Sequence, residues 1–175
     1  GFEVQPAGAV LAYRTGGVAS IFGRTDDGEI TRFTRNSQIV GNITVSSGTV
    51  SYNPFMGSHY SETNDTNLLF GTVMEATGNL VEDQYAPQAR LSKTKISDVS
   101  ESSAVYGVWI APMENGGETI AALGASWCRI NSSETVALGD LLTSNGDGTA
   151  KVQSDDIIRS KTIGKVTSTT IKETH

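Results

Sequence analysis

One cysteine in 175 residues leaves no partner for an intramolecular disulfide and excludes the paired CxxC spacing of zinc and dithiol redox sites. Its flanks, GASWCRI, alternate apolar and small residues, so Cys128 reads as a buried strand thiol and not a reactive one. Histidine is almost as scarce. His59 and His175 stand far apart and, beside one thiol, are too few for a metal centre, so neither a metal nor a cofactor is expected. Positive charge is also short: 13 Lys and Arg against 19 Asp and Glu leave a formal charge of −6. A general nucleic-acid binder needs a basic face to displace counterions, and this balance argues against one. No apolar run reaches the ~20 residues that cross a bilayer as a helix, so no membrane partner is expected. Nowhere does an apolar stripe recur at the period of a long amphipathic helix. The opening GFEVQPAGAV, without an initiator Met, and the tail STTIKETH, which stops in a strand-like pattern, lead us to expect a piece of a longer protein.

What the chain does have is glycine, 19 of them, with many Ser and Thr and short alternating runs. That composition predicts a mainly β protein. In the first 50 residues, GGVASIFGRTDDGEITRFTRNSQIVGNITVSS reads as short strands broken by an Asp-Gly turn in TDDGE and an Asn-Ser turn in TRNSQ. Its apolar residues, Ile21, Ile30, Phe33, Ile39, Val40, Ile43 and Val45, are too few and too evenly spaced to close a core in one chain. We therefore expect residues 1–50 to be a β stalk, the end of a triple-stranded shaft wound with two other chains. Residues 51–66 form an elbow. From 67 to 175 the apolar runs are denser: NLLFGTVMEAT before a turn at TGN, LSKTKISD, AVYGVWIAP, TIAALGASWCRIN, TVALGDLLTS, and a closing TIGKVTSTTI. Their spacing and their Gly, Asn and Asp turns predict a compact β barrel or sandwich. SDDIIRS reads as one helical turn capped by Ser154 and its aspartates.

Most polar clusters have structural readings. SNGDGT holds Asp147 between glycines but lacks the later oxygen ligands of a calcium loop, so it is a hairpin turn. Asp140 in LGDLL marks a β corner, DVSESS a solvated loop, and His175 a chain end. TVSYNPFMGSHYSETND is different. Pro54 forces an extended entry from Asn53, and Gly57 permits a strained bend at the Gly57–Ser58 peptide. The Ser58 hydroxyl follows the Gly57 carbonyl directly, and attack on it converts an amide to a more labile ester. That chemistry needs a base, an acid and oxyanion donors; His59, Glu62 and Asp65 supply the first two types within seven residues.

RTDDGEITRFTRNSQIVGNITVSSGTVSYN followed by GSHYSE resembles the end of phage tail fibres and tail spikes, where a trimeric β shaft meets a C-terminal intramolecular chaperone. LSKTKISDVSESSAVYGVW and GDLLTSNGDGTAKVQSDDIIRSKTIGKVTST resemble the self-cleaving peptidase domain of phage neck appendages, a glutamic-type auto-peptidase family. The resemblance covers nearly the whole chain. It implies a homotrimer that brings its own N-terminal shaft into register and then cuts itself free, assembled in the host cytoplasm and carried on the virion tail. A related chaperone family, found on endosialidase-type fibres, cuts just before a Ser, using that Ser with a Lys. Ser58 matches the Ser, but the Lys place falls near Glu62 and Thr63, which favours the carboxylate-assisted type. The resemblance thus implies cleavage between Gly57 and Ser58, with Ser58 attacking, Glu62 as base or acid, and Asp65 or His59 as its partner. Asp83, Asp98 and Asp140, or a neighbouring chain, are alternative sources of the acid. The competing expectation is an uncut trimeric tip that binds a host-surface glycan through Tyr60, Tyr85 and Trp109. A depolymerase acting on an external glycan needs a carboxylate pair across an open cleft, of which the sequence gives no sign.

Overall fold

The protein is described here by a computed structural model covering residues 2–4, 10–12, 14–82, 91–113 and 116–172. It is mainly β, built of antiparallel sheets, with no helix among the described residues. Gly1, Asp83, Tyr85 and His175 lie outside them. The chain divides into two compact units, Gly1–Phe55 and Met56–His175.

The first unit pairs β1 (Phe2–Val4) with β2 (Val10–Ala12), and then β3 (Gly28–Arg35), β4 (Gln38–Ser46) and β5 (Thr49–Asn53) in a meander. The Asn-Ser turn expected in TRNSQ is there: Asn36 and Ser37 sit at φ 49° and 62°, between the paired Arg35 and Gln38. Two positive φ values in a two-residue loop match the right-handed twist of the flanking strands. Ser47 and Gly48 repeat the device between β4 and β5. The strands expected upstream, in GGVASIFGRT, did not form: residues 14–27 carry no strand. The Asp27 carboxylate instead accepts the Ser47 backbone N–H at 3.0 Å, tying this segment to the second hairpin.

Register gives the meander two unlike faces, because cross-strand partners share a side. Ile43 lies opposite Tyr52, and Val45 opposite Val50, with Phe33 opposite Gly41 on the same face. The other face is polar. Glu29 accepts from Arg32 and from Asn42, and Asn53 donates to Asn42 and Thr44. Those hydrogen bonds tie the three strands together on the wet side. The apolar side stays open, with Phe33, Val50 and Tyr52 each more than half exposed.

The second unit comprises β6 (Met56–Ser61), β7 (Val73–Leu80), β8 (Ser92–Ile96), β9 (Val105–Pro112), β10 (Glu118–Gly124), β11 (Leu141–Ser144), β12 (Ala150–Val152) and β13 (Thr162–Lys165). One sheet runs β6-β10-β9-β7-β8 and the other β12-β11-β13. Val73, Val108 and Ala121 of the larger sheet pack on Leu142, Ala150 and Val166. Burying such a side chain stabilises by about 1.5–3 kcal/mol. Met74 and Ile120, next in sequence to Val73 and Ala121, point the other way and are completely buried. The larger sheet curls. At its open end the Thr94 N–H donates to the Glu62 carbonyl at 2.9 Å, and Ser61 Oγ meets Thr94 Oγ1 at 2.8 Å, so the outer strands β6 and β8 touch. Between the sheets lies a polar seam: Ser97 Oγ bonds Glu75 Oε2 at 3.0 Å and Ser144 Oγ at 2.7 Å, while Lys95 pairs with Glu75 at 3.2 Å.

Several local expectations are corrected. SDDIIRS is a bend and not a helical turn, because the Asp155 carboxylate captures the Ile157 N–H two residues on. TIAALGASWCRIN is strand only through Gly124. Cys128 is therefore not a strand residue, although it packs against the core and burial pushes its thiol up to about 12. The turn expected at TGN is absorbed into β7 as an irregularity between Ala76 and Leu80, with Gly78 at φ 83°.

Candidate functional site at the Gly57–Ser58 peptide

The peptide singled out by the sequence lies in neither a loop nor a bend. It lies within β6, two residues past the boundary between the units. Asn53–Pro54, just upstream, is cis. β6 pairs with β10 so that Ala121 faces Ser58 and Leu123 faces Gly57. Ala122 is the extra residue, a β-bulge set opposite the Gly57–Ser58 bond. Bulges disrupt the ladder locally and recur beside active sites. Gly57 has its own reason to be glycine, different from the bend expected of it. A Cβ there lies 3.2 Å from the Leu123 Cβ, so the residue serves close strand approach and not a left-handed φ.

Ser58 is exposed, and among the described residues no side-chain hydrogen bond reaches its hydroxyl. It shares the face of Ala121, its cross-strand partner. His59, the next residue, takes the opposite face, where its ring lies 5.1 Å from that of Tyr106 at a tilt of 39°. Alternation alone thus keeps His59 from the Ser58 hydroxyl.

Glu62 follows Ser58 by four residues, about 13 Å along an extended strand. Its carboxylate is occupied at that distance: Lys93 Nζ is 3.3 Å from Oε2, and the Tyr60 hydroxyl is 3.5 Å from Oε1. Asp65 accepts the backbone N–H of Ile96 and the Thr63 hydroxyl, closing the loop that leads away from β6. Both carboxylates hold the seam where β6 meets β8. The structure therefore does not gather Ser58, His59, Glu62 and Asp65 into one cluster within a chain. The reason is that β6 is straight where the sequence led us to expect an elbow.

The alternative acids are no nearer to being a pair. Asp140 accepts the Ala137 N–H at 2.7 Å as a corner, and Asp98 pairs with Lys95 at 2.7 Å in its loop. Asp147 accepts from Thr149, Asn145 and Asn131, and these bonds, Thr149 first, hold its carboxyl below the usual range. No three His, Cys, Asp or Glu among the described residues are grouped to hold a metal. Of the aromatics considered for stacking on sugar, Trp109 is partly buried and donates to Glu118 Oε2 at 2.6 Å, and Tyr60 is partly buried.

What sequence reasoning missed is the bulge at Ala122 and the role of Lys93. Neither has a local signal, since each follows from pairing between segments more than thirty residues apart. Compared with known proteins, the chain matches no family model, no curated protein and no solved structure.

Proposed function

We propose that the chain is an intramolecular chaperone, which gathers three copies, sets a tail-fibre shaft in register and then releases itself by cutting at Gly57–Ser58. The observation that carries this reading is the uncovered apolar face of the first unit. Every buried hydrophobic residue among those described belongs to the second unit, from Val73 to Val166. A sheet with Phe33, Ile43, Val45, Val50 and Tyr52 on one side is stable only when something covers it, and copies of the same chain offer the matching surface. The second unit has its own core and so supports folding ahead of the stalk.

In the cutting step Ser58 Oγ bonds to the Gly57 carbonyl carbon, and its proton passes to the Ser58 nitrogen as the C–N bond breaks. Water then hydrolyses the ester, leaving a Gly57 carboxylate and a new Ser58 amine. Within one chain Glu62 stands about 13 Å along the strand from Ser58. On this reading the proton carrier is a carboxylate of a neighbouring copy, brought up on trimerisation. The bulge at Ala122 supports the reading by loosening the ladder opposite the bond. Assembly in the host cytoplasm and a place on the virion tail follow from the same proposal.

Intact-mass spectrometry of the purified chain beside Ser58→Ala tests it. Fragments 1–57 and 58–175 from the wild type, with an uncut variant, are expected. An uncut wild-type trimer instead supports an attached, glycan-binding tip, the reading favoured by the separation of Glu62 and Asp65 from Ser58. Cleavage that survives Ser58→Ala refutes the site.

A further inference from the structure

A cleft of about 690 Å³ opens on the second unit between the segment around Trp127 and the chain's last described residues. Its size is that of small-ligand clefts, which run roughly 300–1,000 Å³. Three cations line it: Arg129, Lys165 and Lys172. Acids outnumber bases in this protein, and Arg24, Arg32, Lys93, Lys95, Arg159 and Lys161 all pair with carboxylates. The three cations of the cleft make no ion pair among the described residues. The one acid in the lining, Glu134, faces a backbone donor, accepting the Val152 N–H at 3.2 Å. Two rings complete the wall. Trp127 is 43% exposed, and Phe70 carries the Lys172 ammonium 4.9 Å above its centre. The stretch 167–170 adds a row of Ser and Thr hydroxyls.

We propose that this cleft binds a carboxylate-bearing oligosaccharide. Unpaired cations take its carboxylates in charge-assisted hydrogen bonds, the indole supplies a flat apolar face for sugar C–H groups, and the hydroxyl row matches sugar hydroxyls. The site is distinct from Tyr60 and Trp109, whose polar groups are already engaged. It rests on the second functional reading, the attached glycan-binding tip, because cutting at Gly57–Ser58 would release the unit that carries it; the binding itself uses no residue of β6.

The test is calorimetric titration of the full chain carrying Ser58→Ala, so that cutting cannot change the sample, with three probes: tetragalacturonate, maltotetraose and tetraglutamate. Saturable binding of tetragalacturonate is expected, at least tenfold tighter than of either other probe and weakened by salt. Lys172→Gln and Trp127→Ala should each weaken it about fivefold or more. Lys172 is exposed and lies in no strand, so its substitution leaves the strand pairing untouched and keeps the test decisive. Absent saturation, equal binding of tetraglutamate, or binding unchanged in both variants overturns the proposal. Failure here leaves the mass-spectrometric result untouched, so the two readings fail separately.

Discussion

At the scale of single residues, the second unit is held by polar atoms as much as by apolar ones. Ser61, Thr94, Ser97, Thr143 and Ser144 are buried, and no buried side-chain polar atom among the described residues lacks a partner. Such groups are costly when orphaned and nearly neutral when paired. The surface pair of Lys161 and Glu101, at 2.6 Å, gives a pH signature. The Lys161 hydrogen bond comes first among the causes that hold the Glu101 carboxyl below its ordinary 4.5. A carboxyl lowered by folding stabilises the native state above the unfolded value, and that contribution is lost as pH falls through the folded one. The melting temperature of wild type should therefore exceed that of Glu101→Gln at neutral pH, with the gap closing below pH 4.5. A constant gap across that range, followed by differential scanning fluorimetry, would show that the pair does not titrate as described.

At the scale of elements, strand approach decides which residues are tolerated. β9 crosses β10 so closely that a Cβ on Gly107 falls 2.2 Å from the Ala121 carbonyl oxygen. That neighbour is backbone and cannot swing aside. Gly107→Ala should cost about 3 kcal/mol by forcing the two central strands apart, measured as a lower midpoint in urea unfolding. A change below about 0.5 kcal/mol, the scale of an inert surface substitution, would mean that the strands shift freely. At Gly57 the approach is looser, 3.2 Å to the Leu123 Cβ, but that atom moves only with its backbone. The hairpin at Asn36–Ser37 was legible in the sequence because both residues tolerate positive φ and sit between alternating runs. The bulge at Ala122 was not, because nothing within AALG says which strand lies alongside.

At the scale of the whole molecule, the contrast between the units governs behaviour. All the buried hydrophobic residues among those described lie in the second unit; the first displays an apolar sheet face and buries none. If copies of the chain meet through that face, as proposed, substituting Asp for Tyr52, which is 59% exposed on it, should shift the assembly toward monomer. Size-exclusion chromatography with light scattering checks this. A variant that assembles like wild type would mean the open face is not the contact between copies.

The sequence by itself determined the β class, the turn at Asn36–Ser37, the corner at Asp140, and a first segment too poor in apolar residues to close a core. These are properties of neighbours along the chain: period-two alternation and residues that accept particular backbone angles. Tertiary structure alone decided that Gly57–Ser58 lies straight in β6, that His59 faces away from Ser58, and that Lys93 and Ile96 hold Glu62 and Asp65. It also brought Phe70, Trp127, Arg129, Lys165 and Lys172 around one cleft. Those outcomes depend on which strands pair and in what register. A register shift of one residue turns every side chain of a strand to the other face while leaving its local pattern unchanged.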